Sequence, residues 1–126
     1  MRVLIVEHQD GLADLWRRHL QRAGAQVQIA VDSERAIRVL NHESIDVLVI
    51  NLSLEEGAAL AISDYAAYRR PDAKVIFVTS KTFFSDGLIF EHATNAAVML
   101  PEDTPPADLA AVVEHYASGM PDQTQP

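Results

Sequence analysis

Val47-Leu48-Val49-Ile50 is the segment that most restricts what this chain can fold into. Four consecutive apolar residues offer no polar side to water, so the strand they form must be covered on both faces. That condition belongs to a buried strand of a parallel sheet in a layered sandwich. The neighbouring segments agree, because short apolar runs alternate with helical patterns across short gaps, the signature of consecutive βα units. The strand delivers Asn51 to its C-terminal end. In open α/β sheets the ligand crevice lies outside the carboxyl ends of the strands. A carboxylate there could accept a phosphoryl group or bind a metal, whereas an amide can only hydrogen-bond.

The remaining elements follow in order. A first strand covers 3–6, and a helix follows with Leu12, Leu15, Trp16 and Leu20 on one face, ended at Gly24 by a left-handed cap. A weaker strand runs through Val27, Ile29 and Val31, and Asp32 or Ser33 caps a helix carrying Ala36, Ile37 and Leu40 inward. The third strand spans 46–52, and an Ala-rich helix over 58–70 is stopped by Pro71. The fourth strand covers 74–78 and ends in Thr79-Ser80; a fourth helix is expected over about 87–93. A short fifth strand over 97–100 ends at Pro101. Thr104, with Pro105 at the first helical position, starts a final helix through Leu109, Val112, Val113 and Tyr116 that Gly119 closes. The expectation is one domain over 1–118 and a mobile polar tail over 119–126.

Composition narrows the function. A hydrophobic share of 48% supports a real core, and no apolar stretch approaches the ~20 residues of a membrane span. The opening run 2–6 is too short and wrongly flanked for a signal peptide, so a cytoplasmic location is expected. The absence of cysteine removes disulfides, thiolate nucleophiles and cysteine-based zinc sites. A net charge of −8 disfavours nucleic acid and favours a protein partner with a basic patch.

The order of elements, with Val-Leu-Ile-Val-Glu at the first strand, resembles the receiver domain of bacterial two-component response regulators over roughly 2–118. The resemblance implies a flavodoxin-like (βα)5 three-layer sandwich with a five-stranded parallel sheet of order 2-1-3-4-5. It also implies four functional strand ends: an acidic pair, an acceptor Asp, a Thr or Ser, and a Lys-Pro. Here those positions hold Glu7 and His8, Asn51, Thr79, and Leu100-Pro101, and the aromatic switch position holds Ala97. Phosphoryl transfer to a carboxylate needs a nucleophile, a magnesium ion and fixed donors for the phosphate. Asn51 removes the nucleophile, His8 depletes the oxygen ligands magnesium prefers, and Leu100 removes the cation that would pair with phosphate. The four changes together imply a pseudo-receiver, not an enzyme and with no cofactor, whose magnesium binding is weak or absent. The loop after Asn51 also departs from the family: Glu55 stands at its proline position and Gly57 arrives about two residues early.

Such a receiver would act by protein–protein contact, with a signalling kinase, a regulator or another two-component protein. By family analogy its face would be the fourth helix, fifth strand and final helix, with Phe83, Phe84 and Tyr116 as candidate contacts. A homodimer through that face stays open. Two rival readings are weighed. One is unconventional switching by a ligand or by phosphate on Ser53 or Asp46, with Lys81 as the substitute cation. The other is a flavodoxin-like cofactor binder or small enzyme, which would need a phosphate loop that Glu7-His8-Gln9-Asp10-Gly11 does not provide. Bland roles stand beside the sharp ones. Asn51 could cap its own turn, one of the two phenylalanines could pack in the core, and Trp16 reads as core. Arg69-Arg70 reads as an ordinary cationic helix end. Glu55-Glu56 and Glu102-Asp103 read as solvated loop charges giving the crevice rim a negative field. His8 reads as a part-exposed, hydrogen-bonded side chain, and His19, His42, His92 and His115 as solvated helix positions.

Overall fold

In a computed structural model, which describes residues 1–53, 57–80 and 95–118, the expected sheet is formed. The strands are β1 (Arg2–Val6), β2 (Gln26–Ala30), β3 (Val47–Asn51), β4 (Lys74–Thr79) and β5 (Ala96–Pro101). All neighbours pair in parallel, in the order β2-β1-β3-β4-β5. The helices are α1 (Asp10–Arg22), α2 (Ser33–His42), α3 (Ala58–Arg69) and α4 (Pro106–Ser118), the last being the final helix of the sequence reading. The helix expected over 87–93, the loop residues 54–56 and the tail over 119–126 lie outside the described residues.

The period of two along each strand splits the core into two clusters, one on each face of the sheet. Leu4, Val6, Leu48, Ile50, Val75 and Phe77 meet Leu40 of α2 and Ile62 of α3. Val3, Ile5, Val47, Val49, Ile76 and Val78 meet Trp16 and Leu20 of α1 and Leu109 and Val113 of α4. Every residue of β3 is buried, as its uninterrupted apolar run requires, and Trp16 is a core residue at 2% exposure.

The helix ends explain several boundaries. Asp32 caps α2 by accepting from the Arg35 amide at 2.9 Å, and Val31 falls outside β2. After α1, Gly24 adopts φ +96°; its amide bonds the Gln21 carbonyl and that of Ala25 bonds Leu20, both at 3.0 Å. This is the paired C-terminal arrangement that only a left-handed residue permits. Arg69 and Arg70 do more than end α3. Their guanidinium groups donate to the Asn41 and Leu40 carbonyls at 3.1 and 3.0 Å, satisfying orphan acceptors at the C-terminus of α2.

The start of the final helix differs from expectation. Pro106, not Pro105, is its first residue, and the Pro105 carbonyl accepts the first helical bond from Leu109 at 3.0 Å. Either proline could occupy that position, since neither has an N–H to lose. The choice falls to Pro106 because Thr104 is used by a preceding turn: its amide and hydroxyl both donate to the Pro101 carbonyl, at 3.0 and 2.7 Å. The fourth strand also gains Thr79, and the fifth gains Ala96 and Pro101, through their pairings.

Gly24, just beyond α1, and Gly11, within it, respond oppositely to one substitution. Gly24→Ala forces a side chain into the left-handed region and lowers stability by about 1–2 kcal/mol. Gly11→Ala, inside α1 with open space at the added carbon, raises it by about 0.5 kcal/mol. Urea unfolding midpoints moving in the same direction for both would refute this account.

Candidate functional site

The two-residue period that builds the core also builds the site. On the α1/α4 face of the sheet the buried series Val3-Ile5 and Val47-Val49 and the partly buried Val98-Leu100 each continue to one polar residue at the carboxyl end. Those residues are Glu7, Asn51 and Glu102. Glu7 and Asn51 are fully buried, and Glu102 is half-buried. The Asn51 carboxamide nitrogen donates to Glu7 Oε1 at 2.5 Å and to Glu102 Oε2 at 2.9 Å. A primary amide carries two N–H donors, so both are spent on carboxylates arriving from different strands.

The rest of the cluster fixes this orientation. Asn51 Oδ1 accepts from the Ser53 amide at 2.8 Å and from its hydroxyl at 2.7 Å, closing the turn after β3. The amide therefore caps its turn, as asparagine commonly does, and bridges two acids as well. The other Glu7 oxygen, Oε2, accepts from the Gln9 amide at 3.0 Å, with His8 Nδ1 at 3.5 Å. The turn after β1 thus directs a backbone donor inward to Glu7, where a phosphate loop would direct it at a ligand. Glu102 is held from its own backbone too, since its amide donates to the Thr79 carbonyl at 2.7 Å.

Glu102 is the residue that sequence reasoning missed, having been read as a solvated loop charge. The signal was present: alternate positions Val98 and Leu100 face the core, and the same parity carries 102 onto that face. The pairing of Thr79 with Pro101 then brings it beside the β3 end.

The other sequence-predicted positions are placed as follows. Thr79 is 2% exposed, but its hydroxyl donates to the Ser80 carbonyl at 3.1 Å, and it shares its strand parity with Phe77 on the opposite core face. Leu100 packs against the α1/α4 core cluster, and Pro101 is exposed at the last position of β5. Ala97 is skipped in the register between Val75–Ala96 and Ile76–Val98, so it sits at a β-bulge. Tyr116 is half-buried against the core, its hydroxyl 3.5 Å from the Ala97 carbonyl and its ring edge-on to His115. His8 is about half-exposed, whereas His19 and His42 bond carbonyls of their own helices.

Asp46 stands at the opposite end of the sheet, accepting from the Arg2 amide at 2.8 Å. Phe83, Phe84, Lys81, Glu55, Glu56 and His92 lie outside the described residues. Among the described residues no helix is long and apolar enough to cross a membrane.

What this arrangement can do chemically is limited by its donors. A neutral carboxamide is not a nucleophile toward phosphorus, because its nitrogen lone pair is delocalised into the carbonyl. The residue at the β3 end presents two N–H groups to its neighbours, and its only oxygen accepts two bonds from Ser53.

Comparison with known proteins agrees with this topology. The response regulator receiver domain family matches residues 3–99. A CheY-like response regulator receiver domain protein from Methanospirillum hungatei superposes with a TM-score of 0.81, at 20% identity over 92% of each chain. A response regulator protein from Burkholderia pseudomallei, with a phosphorylated aspartic acid, calcium ion and citrate, has a TM-score of 0.76 at 19% identity. That match covers 93% of this chain and 68% of the other. A receiver domain protein from Clostridium thermocellum gives 0.79 at 19% identity, over 92% of this chain and 93% of the other. Comparison with curated proteins gives no significant match.

The bridge sets a stability ranking. Asn51→Ala leaves the buried Glu7 oxygen without its closest donor and lowers the unfolding free energy by about 2–4 kcal/mol. Glu102→Ala, at a half-exposed carboxylate, costs about 1 kcal/mol. Chemical denaturation checks the order; equal losses would mean that the buried bond to Glu7 contributes nothing extra.

Proposed function

The chain belongs to the response regulator receiver domain family, and on that premise we propose that it regulates by protein–protein contact without being phosphorylated. The observation that carries the reading is the Asn51 carboxamide, which stands where the family places its acceptor and spends both N–H groups on Glu7 and Glu102. An amide forms no aspartyl phosphate. A phosphoryl group arriving there would meet Glu102 and the apolar Leu100 instead of a lysine, so its charge would be opposed.

The magnesium that the family implies fits these residues poorly, and no step is routed through it. Magnesium needs oxygen ligands in near-ideal octahedral geometry. Between Glu7 and Glu102 the group in place is an NH2, and His8 supplies nitrogen where a second carboxylate is expected. The positions of Ser53 and Asp46 disfavour the rival reading of unconventional phosphorylation. The Ser53 hydroxyl is already engaged by Asn51, and Asp46 lies at the far end of the sheet.

The partner we propose is a protein of two-component signalling, a kinase, a regulator or another receiver, met in the cytoplasm. Its contact would lie on the face that includes β5 and α4, and a second copy is one candidate occupant. The net charge of −8 supports a partner with a basic surface rather than nucleic acid.

Amide spectra of the protein titrated with magnesium and beryllofluoride, a phosphoryl mimic, test the reading. The expected outcome is no saturable shift at Glu7, Asn51, Thr79 or Glu102; a saturable set there overturns it. A gain-of-function series extends the test. The combined His8→Asp, Asn51→Asp and Leu100→Lys variant takes phosphate from acetyl phosphate poorly, and adding Glu102→Ala raises the yield, because a carboxylate beside position 51 repels the incoming phosphate. Intact mass reads both.

A further inference from the structure

We infer that the Asn51 carboxamide is a built-in substitute for a cation, with Glu102 as its second anchor, so that this end of the sheet is held together without any metal. The inference deepens the phosphorylation-independent reading above and concerns how this end of the sheet is held. Carboxylates from the end of β1 and the turn after β5 converge on one point, and acids so arranged repel unless something positive lies between them. The occupant is the NH2 of Asn51, whose two hydrogens carry partial positive charge and point at Glu7 Oε1 and Glu102 Oε2. Its direction is not free. The Ser53 amide and hydroxyl hold Oδ1, which turns the nitrogen toward the acids.

Three strands are thereby cross-linked at their carboxyl ends by one neutral side chain. Glu102 is a positioning residue here: its amide on the Thr79 carbonyl and its carboxylate on Asn51 fix the turn leading into α4. The device follows from hydrogen-bond count. Replacing the NH2 with oxygen, an isosteric change, would remove both donors and leave three acids facing one another, the donor set of a hard divalent cation.

Three proteins test this: the unaltered chain, Asn51→Asp, and Asn51→Asp with Glu102→Gln. The unaltered chain melts at the same temperature in calcium, magnesium or EDTA. Asn51→Asp melts at least about 5 °C lower in EDTA and recovers in calcium or magnesium. In the double variant the melting temperature in EDTA rises again, and calcium binding weakens roughly tenfold or more, because a ligand is gone.

Three results overturn the inference: Asn51→Asp matching the unaltered chain in EDTA, unchanged calcium affinity in the double variant, or a melting temperature of the unaltered chain that rises with magnesium. If Asn51→Asp does not fold in EDTA, folding on addition of calcium gives the same readout. A cation-free cycle of Asn51→Ala, Glu102→Ala and their combination decides independently of folding in that variant. Non-additive losses support the bridge, and additive losses refute it. No arm contains a phosphoryl mimic, so these outcomes stand or fall separately from the phosphorylation-independent reading.

Discussion

A single neutral side chain joins three strands of this sheet where their peptide carbonyls run out. Asn51 binds Glu7 on one side and Glu102 on the other, and is itself oriented by Ser53. The surrounding geometry depends on that contact, because Glu7 is fully buried and a buried carboxylate is tolerated only where donors meet it. The Gln9 amide supplies one donor and Asn51 the other. Removing either leaves an acid in the core.

This arrangement gives the departures from the receiver pattern a common physical basis. The Asn51 amide meets both acids with N–H donors, which an acceptor carboxylate at position 51 would lack. With an uncharged side chain at position 51 no cation is needed at position 100, and Leu100 packs against the α1/α4 core. Ala97 at the bulge leaves room for the Tyr116 hydroxyl near its carbonyl, where the family pattern places an aromatic side chain. The residues at these positions are physically compatible with one another.

Much of the site was legible in one dimension. Asn51 was placed by its strand end, since a strand's last residue is fixed once its apolar run is recognised, whereas Glu7, His8 and Leu100 were placed by the resemblance to the receiver pattern. Glu102 was harder, because a charged pair following a proline looks like a loop. Its inward direction depends on β5 keeping its alternation through Pro101 and on the Thr79–Pro101 pairing. Thr79 stands at a strand end, as expected, and its strand parity is that of Phe77, on the opposite core face from Val78. Arg69 and Arg70 show the same limit, since helix-end cations read as local features and in fact satisfy carbonyls of a different helix.

The sequence by itself determined the βα alternation, the fully buried third strand and the asparagine at its end. Each of these follows from residue type and local spacing, which a linear chain carries explicitly. Only the tertiary structure decided what the lost charge was replaced by. Glu7, Asn51 and Glu102 are separated by 44 and 51 residues and meet only because parallel pairing stacks their strand ends. The number of donors at that meeting point is a property of the fold. It is what turns an absent carboxylate into a bridge.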